Sequence, residues 1–563
     1  CRLPASLPRR CRLPECPEGM ITVYLARRIH TMDPSLPEAS AVAVQGDRIV
    51  EVGSLESLRP WLDVHDHVVD DRFVDAVLLP GLIDPHVHPP LMAILLATEW
   101  ITPESWNLPS GVVEATVGQE AYRARLAELE AAHPSGQPFV TYGWHQQYHG
   151  SISRSDLDAI STTRPIVVWA RCFHELWCNG AALEWLDAAE GAAWDPHIDL
   201  ETGRLWESGL AWGLNTLRED LFADGRYEVL MEDVATLVHR GGVTTIADAG
   251  FGGMALPDRE LEVLAQVHEG DHIPFRQYLI PQAPIFKREY GSDMFNRIEA
   301  LAEHSSERIR FLDAGKFFAD GAFMGQIMQL REPGFIDGHQ GTWMVDPDRI
   351  AHHMRPFWNA GKQINVHVTG DLGVDAVLDA IAELLNEKPR FDHRTVLHHF
   401  GISTQAQSRR AAALGCAVQV NGYYLRYFGD QFVAEGVGAE RASLMTRVGS
   451  ARRNGMSVAL HSDLPMGPLQ PMLGASILAT RVSGSGVVLG PEECLSPYDA
   501  LAAITIEAAW QLRLDHEVGS LASGKLADLT ALEEDPFERD PSTWPDIGIR
   551  ATMLAGRIYP LTG

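Results

Sequence analysis

AVLLPGLIDPHVH, residues 76–88, is an apolar run that ends in the pair His86 and His88. Residues two apart on a strand point to the same side, so both imidazoles can reach one metal ion. A buried strand that ends in such ligands is typical of a (β/α)8 barrel, which keeps its chemistry at the carboxyl ends of its strands. The spacing alone is weak evidence, because His65 and His67 share it within a polar stretch that indicates solvated surface.

Further apolar runs alternate with amphipathic helical stretches, which is the pattern of a parallel α/β fold. Including the first, the runs are residues 78–88, 242–250, 273–280, 313–321, 363–371, 395–400, 416–424 and 457–463. Their number equals the strand count of a TIM-like barrel. The sequence therefore predicts an α/β fold with a metal-dependent (β/α)8 barrel over residues 80–507.

Three other segments do not follow this alternation. Residues 100–235 are Trp-rich with a further α/β-like piece, and we predict an insertion after the first strand that acts as a lid subdomain over the barrel mouth. Residues 20–79 and 508–563 contain short β-runs, which predict a small β-sandwich domain built from both chain ends. Residues 1–19 repeat CRLP and are rich in Pro and Arg, so we expect a disordered, upstream or cloning-derived segment before a natural start at Met20.

Composition narrows the function classes. The chain has 563 residues and a formal net charge of −29, which argues against a nucleic-acid partner. Since uninterrupted apolar stretches of about 18 residues are missing from the sequence, we expect no membrane span. The seven cysteines form no Cys-x-x-Cys pair, so a reducing compartment is expected. We therefore expect a cytoplasmic enzyme with a small-molecule substrate, and a homo-oligomer on general grounds alone.

Four of the later runs carry a candidate metal ligand near their carboxyl end. These candidates are Lys316, His367, His399 and Asp463. Each has an ordinary structural alternative, such as an ion-pair lysine, a satisfied core histidine or a helix N-cap aspartate. All four are expected to lie on the same face of the barrel as His86 and His88, and this favours a metal site.

The residue types suit metal-assisted hydrolysis. Zn²⁺ held by neutral imidazoles lowers the pKa of bound water from about 15.7 toward about 7, which makes hydroxide available at neutral pH. Asp463 can orient that water, accept its proton and deliver it to a leaving nitrogen. Lys316 is a poor ligand as an ammonium ion, but its amine can react with CO2 to form a carbamate that bridges two metals.

Several motifs together resemble the amidohydrolase superfamily, and specifically its amidohydrolase-3, YtcJ-like branch. The matching stretches are PGLIDPHVH (80–88), GKFFADG (315–321), HVTGD (367–371), TVLHHFG (395–401), HSD (461–463) and GSLASGKLAD (519–528). They occur in the order of that family and extend over nearly the whole chain from Met20 onward.

The resemblance implies a (β/α)8 barrel beside a β-sandwich, one or two divalent metals, usually zinc, and hydrolysis of non-peptide C–N bonds in amides, N-formyl or N-acyl groups. It implies that His86 and His88 bind the first metal and that Lys316 is the carbamylated bridge. It also implies that His367 and His399 bind the second metal. Asp463 would be both a ligand of the first metal and the proton shuttle.

Two departures from the family pattern bear on the site. The residue before the sixth-strand ligand is usually Glu in this branch, whereas it is His398 here, so the choice between His398 and His399 stays open, with the following Phe-Gly favouring His399. Relatives often continue the lysine motif as Asp-Gly-Ser-Ile-Gln-Gly, whereas this chain has Ala-Phe-Met after Gly321. The second departure concerns substrate specificity rather than the metal site.

Residues of a second tier are expected to contact substrate or support the ligands. His174 resembles a family histidine that hydrogen-bonds substrate, with packing beside Trp177 as the alternative. The other substrate candidates are Phe323, Tyr423 and Tyr424, whose alternative is core packing, and the aromatic content suggests an apolar or aryl amide. Asp248 is either an orienting partner of a ligand imidazole or a helix cap. His145 and His149 have no evident buried strand before them and are predicted on the surface or a lid.

Three function hypotheses follow from this site. The leading one is hydrolysis of a non-peptide C–N bond. The same ligands serve carbamate or ester hydrolysis, deamination or decarboxylation, since fold does not fix the reaction. A non-catalytic binding or regulatory protein on the same scaffold is the third hypothesis, which the presence of Lys316 and Asp463 disfavours.

Overall fold

The computed structural model describes residues 19–221, 225–254 and 256–561. The predicted N-terminal segment 1–19 therefore lies, apart from Gly19, outside the described residues. Among the helices of the described part, none combines the length and the apolar character that a membrane crossing requires.

Each of the eight predicted runs contains a strand of the central fold. These strands are β1 (Leu82–Val87), β2 (Val243–Phe251), β3 (Arg276–Pro281), β4 (Ala314–Phe318), β5 (Gln363–Val368), β6 (Val396–His399), β7 (Ala417–Asn421) and β8 (Val458–His461). A short strand, Ile309–Phe311, was not predicted and pairs with β3. The aliphatic side chains of these strands are all buried, as expected for strands covered on both faces.

The strands form two parallel sheets whose carboxyl ends face the same way. β1, β2, β3 and Ile309–Phe311 make one sheet, and β4 to β8 make the other in sequence order. A bridge between Gln282 and Lys316 links β3 to β4. At the other junction Asp463 N–H donates to the carbonyl of His86 at 3.0 Å, just past β8. The result is a TIM-like α/β fold, while a continuous barrel ladder is not seen in the strand pairing of the described residues and stays a prediction.

Helices alternate with the strands and cover the sheets. They are Arg226–Arg240, Pro257–His268, Ala283–Tyr290, Met294–Ala302, Ile350–Asn359, Asp371–Glu387, Gln405–Ala413, Ala439–Ser443, Val448–Arg453, Pro471–Thr480, Pro497–Ala502 and Ile506–Gln511. Local sequence explains their limits. Gln405–Ala413, for example, begins at a capping box in which Thr404 and Gln407 satisfy each other's backbone N–H groups.

Strands from both chain ends pair into one seven-stranded sheet. Its order is Arg557–Pro560, Ile549–Leu554, Leu529–Leu532, His67–Pro80, Ile21–His30, Glu38–Gln45 and Arg48–Gly53. The predicted cooperation of the two termini is therefore present, whereas the strand pairing shows a single sheet and the sandwich stays a prediction. The strand that ends at Pro80 leads directly into β1, so this sheet fixes the start of the strand that carries His86.

The segment after β1 has its own six-stranded sheet. Its order is Ile198–Asp199, Arg204–Trp206, Glu175–Cys178, Ile166–Ala170, Phe139–Trp144 and Glu99–Trp100. Its longer helices are Pro89–Leu96, Gln119–Ala132 and Ser208–Leu221. The strand Ile166–Ala170 ends beside the carboxyl ends of the central strands, which brings the residues after it to the site.

Candidate metal centre

One cavity of about 220 Å³ lies at the carboxyl ends of the central strands. Every residue predicted as a metal ligand lines it: His86, His88, Lys316, His367, His399 and Asp463. His88 and His367 are partly exposed and the other four are buried. The pair His65 and His67, which has the same spacing as His86 and His88, is exposed, as predicted from its polar surroundings.

Three donor atoms in this cavity are spaced as ligands of a single ion. His86 Nε2 lies 3.2 Å from His88 Nε2 and 3.3 Å from Asp463 Oδ1, and His88 Nε2 lies 3.2 Å from the same oxygen. A tetrahedral ion with bonds of about 2.0 Å separates its ligand atoms by about 3.3 Å. The two imidazole planes cross at 87°, so their in-plane lone pairs can converge. This donor set fits a divalent ion such as zinc.

A second group of donors, His86, His399 and His461, is also compact but fits an ion less well. The rings of His86 and His461 are stacked, with centroids 4.5 Å apart and planes at 18°. A ring nitrogen binds a metal in the plane of its ring, so two stacked rings cannot both point at one ion. His461 is buried, and neither of its nitrogens has a hydrogen-bond partner among the described residues. No role was predicted for His461 from the sequence.

Lys316 lies beside these donors in buried surroundings that favour its neutral amine. Its Nζ lies 3.5 Å from His86 Nε2 and 2.8 Å from His398 Nδ1. Burial lowers the pKa of Lys316 to about 7. A large fraction is therefore the neutral amine at neutral pH, which is the form that reacts with CO2 to give a carbamate.

His367 and His399 form the other half of the cluster. Their ring centroids are 4.5 Å apart with planes at 65°. His367 Nε2 is buried without a hydrogen-bond partner in the described part, and burial lowers the pKa of His367 to about 3. His399 Nδ1 lies 3.8 Å from Asp463 Oδ2. Two neutral imidazoles beside Lys316, one with an orphaned nitrogen, are a suitable donor set for a second ion.

The structure separates the roles of the adjacent histidines His398 and His399. His399 lines the cavity, whereas His398 lies behind the ligands. His398 Nε2 donates to Asn365 Oδ1 at 3.0 Å, which leaves Nδ1 as an acceptor for Lys316 and, at 2.9 Å, for His86 Nδ1. His398 is thus placed to orient two neighbours rather than to bind an ion.

Asp248 supports His88 from the end of β2. Its Oδ1 lies 3.8 Å from His88 Nδ1 and accepts the Gly250 N–H at 2.8 Å. Burial alone would lower the pKa of His88, but the nearby carboxylates of Asp248 and Asp463 outweigh it and raise that pKa to about 9. A carboxylate on the far nitrogen also directs the near nitrogen of an imidazole toward a metal.

Two of the candidate ligands have left-handed backbone. His399 has φ of 73° and Asp463 has φ of 58°. This conformation costs a non-glycine residue about 1–2 kcal/mol and concentrates at functional sites. At Asp463 the following turn, in which Met466 N–H donates to the Asp463 carbonyl at 2.6 Å, holds the conformation.

The predicted substrate residues divide into three that line the cavity and one that does not. His174 lines it, and its Nδ1 lies 3.1 Å from Glu207 Oε1. Phe323 and Tyr424 also line it, with rings stacked 4.1 Å apart at 6°. Tyr423 is instead buried away from the cavity, with its hydroxyl donating to the Gln470 carbonyl at 2.9 Å, so its role is packing.

The surface placement considered for His145 and His149 was wrong, whereas their placement on a lid stays a prediction. Both are buried rather than on the surface, because a fully buried strand, Phe139–Trp144, precedes them. That strand was recognisable as the apolar run FVTYGW. The roles of Glu207 and Asn365 were missed, since each acts on a histidine far from it in sequence or on a neighbouring strand.

The rest of the cavity wall is apolar and carries little charge. Its apolar side chains include Leu91, Phe173, Met254, Phe318, Met324, Met344 and Met466. Apart from the candidate ligands, its ionisable lining residues among those described are Cys172, His174, Asp248 and Tyr424. Burial raises the pKa of the Cys172 thiol, so it stays neutral. The only lysine or arginine in the described lining is Lys316.

Comparisons with known proteins show the family and the fold. A sequence profile described as "Amidohydrolase family" matches residues 74–560. YtcJ of Bacillus subtilis (strain 168) is 24% identical over 547 residues, covering 94% of this chain and 97% of that protein. The N-substituted formamide deformylase of Arthrobacter pascens is 23% identical over 553 residues, covering 95% and 97%. The crystal structure of an uncharacterized metal-dependent hydrolase from Pyrococcus horikoshii OT3 has a TM-score of 0.70 at 19% identity, covering 92% of this chain and 99% of that one, and shows the shared fold.

Proposed function

This chain belongs to the amidohydrolase family, and from that premise we propose that it is a zinc-dependent hydrolase of a non-peptide C–N bond in an apolar amide or N-substituted formamide. The observation that carries the proposal is the spacing of three donor atoms, on His86, His88 and Asp463, at 3.2–3.3 Å. The formamide deformylase among its relatives supports the bond type.

We assign the first ion to His86, His88 and Asp463, with Lys316 completing the set. His367 and His399 would hold a second ion, which Lys316, as a carbamate, would share. A divalent ion supplies a water of lowered pKa and polarises the scissile carbonyl. The neutral state of Lys316 near pH 7 supports its conversion to a carbamate.

Asp463 is the residue we expect to move the proton. Burial raises the pKa of its carboxyl, but the hydrogen bond and charge of His88 outweigh burial and hold that pKa below its usual range. Asp463 is therefore ionised at neutral pH and can accept a proton from the attacking water. One of its oxygens faces His86 and His88 while the other faces His399, so it can then donate that proton to the leaving nitrogen.

The cavity wall supports a neutral, apolar group on the amide nitrogen or acyl carbon. Four methionine and several aromatic side chains surround the space, and flexible methionines adapt to varied apolar shapes. A carboxylate there would lose its hydration without gaining a free lysine or arginine partner, because Lys316 is assigned to the ions and Glu207 already occupies His174 Nδ1. We therefore expect N-acyl amino acids to be poor substrates. Phe323 is stacked between Tyr424 and Phe432, so it offers substrate a ring edge rather than an open face.

The test begins with metal. Purified protein should hold one to two equivalents of zinc by elemental analysis, and His86→Asn/His88→Asn should lose at least one of them. The matched control is His65→Asn/His67→Asn, which has the same spacing on an exposed segment and should keep the metal. Equal metal content in both double variants would contradict the assigned site.

A panel of four substrates then tests which bond is cleaved and whether the substituent must be apolar. Metal-loaded protein is assayed with N-benzylformamide, N-benzylacetamide, a benzyl carbamate and N-formylphenylalanine. We expect the two benzylamides to be cleaved and the carboxylate-bearing compound to be at least about 10-fold slower, since a buried unpaired charge costs well over 1.4 kcal/mol. Turnover of the carbamate alone would change the reaction class. A fully loaded protein without turnover on any panel would favour the binding-protein hypothesis.

The closed barrel, the terminal β-sandwich and the domain limits predicted at residues 80 and 507 are part of the same proposal. They are supported by the two parallel sheets and by the pairing of both chain ends in one sheet. The lid role of residues 100–235 is supported by Cys172, Phe173 and His174, which this segment contributes to the cavity wall.

A further inference from the structure

Arg171 is a fully buried arginine at the boundary between the segment after β1 and the central fold. Its guanidinium donates to Glu104 Oε1 at 2.6 and 2.7 Å and to the Tyr142 hydroxyl at 2.8 Å. It also lies over the ring of Trp106, 5.4 Å from the centroid. These partners all belong to the segment after β1, and they use only some of the N–H donors of the guanidinium.

The remaining donors of Arg171 reach across to the turn that carries Asp463. One N–H donates to the Met466 carbonyl at 2.5 Å, and another points at the Pro465 carbonyl at 3.4 Å. Met466 N–H in turn donates to the Asp463 carbonyl, which closes the turn. Because Asp463 has a left-handed φ of 58°, the turn needs outside contacts to keep it in place.

Arg171 is also the residue directly before a stretch of cavity wall. Cys172, Phe173 and His174 follow it and line the cavity. The side chain of Arg171 therefore contacts the turn that follows Asp463, while its backbone continues directly into the wall against which substrate would lie. A planar guanidinium with five donors can make these contacts together, whereas a lysine ammonium cannot.

We propose that Arg171, clamped by Glu104, is a positioning residue that holds the Asp463 turn in metal-binding geometry and couples it to the substrate wall. This inference rests on the proposed function, since it assigns Asp463 to the first ion. Arg171 touches neither the ion nor the substrate, and it acts through the backbone of residues 465 and 466.

The experiment compares Arg171→Lys with Arg276→Lys. Arg276 is the matched control because it is also buried and ion-paired, to Asp528, but it begins β3 at the end opposite the site. Zinc affinity of each full-length protein is measured by competition with a chelator, and melting temperature is measured on the same samples. Tyr142→Phe, which removes one acceptor of Arg171 at nearly constant volume, is the milder variant if Arg171→Lys does not fold.

We expect Arg171→Lys to weaken zinc binding about 10-fold, as loss of an outer contact of a metal site does, and Tyr142→Phe to weaken it less. Arg276→Lys should lower the melting temperature without changing zinc affinity. Unchanged zinc affinity in both Arg171→Lys and Tyr142→Phe would overturn the inference, as would an equal loss in Arg276→Lys. Wild-type protein that binds no zinc would refute the metal centre itself, which distinguishes failure of the proposed function from failure of the clamp.

Discussion

Binding of zinc should release protons in a number that depends on pH and on CO2. His88 has a pKa raised to about 9 in the metal-free site, because the nearby carboxylates of Asp248 and Asp463 outweigh burial. The imidazole must be neutral to bind an ion, so each ion that reaches His88 displaces a proton below that pKa. His367, whose pKa burial lowers to about 3, is already neutral and releases none.

The pKa values of His88 and Lys316 set the number of protons released and the pH dependence of zinc affinity. Without CO2, about one proton leaves per first-site ion between about pH 6 and about pH 8, so zinc affinity rises about 100-fold over that interval. Carbamate formation at Lys316 adds to this, because a neutral amine and CO2 give a carbamate and one proton. At a fixed CO2 pressure, about two protons should therefore leave at about pH 8. About three should leave at about pH 6, where Lys316, with a pKa of about 7, must first lose its own proton.

The assay is calorimetry of zinc binding to metal-free protein in buffers of different ionisation enthalpy, with and without dissolved CO2. Asp248→Asn is the control, since loss of that carboxylate lowers the pKa of His88 and should reduce proton release at the upper end of the range. A zinc affinity that does not change with pH would refute the assignment of His88. Identical proton release with and without CO2 would refute the carbamate on Lys316.

Three further substitutions test single contacts. Asp463→Asn should lower kcat about 10²–10⁴-fold even in metal-saturated protein, because it removes the proton acceptor, and steady-state kinetics with metal analysis would check this. His398→Gln should weaken zinc binding about 10–100-fold through the orientation of His86, which chelator competition measures; an unchanged affinity would contradict that role. His461→Leu should leave metal content unchanged and alter stability by less than about 1.5 kcal/mol by denaturant titration, since it removes two unpaired nitrogens at similar volume; loss of an ion would show that His461 is a ligand.

The part of the site that the sequence predicted lies on the central strands. His86, His88, Lys316, His367, His399 and Asp463 each follow or end an apolar run, and parallel strands bring their carboxyl ends to one face. The strand order alone was therefore enough to predict where the candidate ligands lie, without knowledge of contacts between distant residues. The extra strand Ile309–Phe311 was missed because three residues are too few to show a period.

The remainder depends on contacts that no local pattern encodes. Arg171 reaches carbonyls about 300 positions later in the chain, and any residue supplies a carbonyl. Tyr423 and Tyr424 are adjacent and chemically equal, yet a π-helical turn beginning at Tyr424 sends one ring to the cavity and the other to Gln470. His461 and His398 both lie on apolar strands next to His86. Only the ring geometry shows that His461 stacks on His86 whereas His398 is hydrogen-bonded to it.

Asp84 explains why the opening motif needs its aspartate as well as its histidines. Its carboxylate accepts the N–H of His86 at 3.3 Å and the N–H of Ser462 at 3.1–3.2 Å, so it joins the end of β1 to the end of β8. The strands that carry the two histidines and Asp463 are the first and last of the fold, and ordinary ladder pairing does not connect them in the described residues. Since the donor atoms must stay within about 3.3 Å of one another to share an ion, the seam that Asp84 closes would set the dimensions of the proposed metal site.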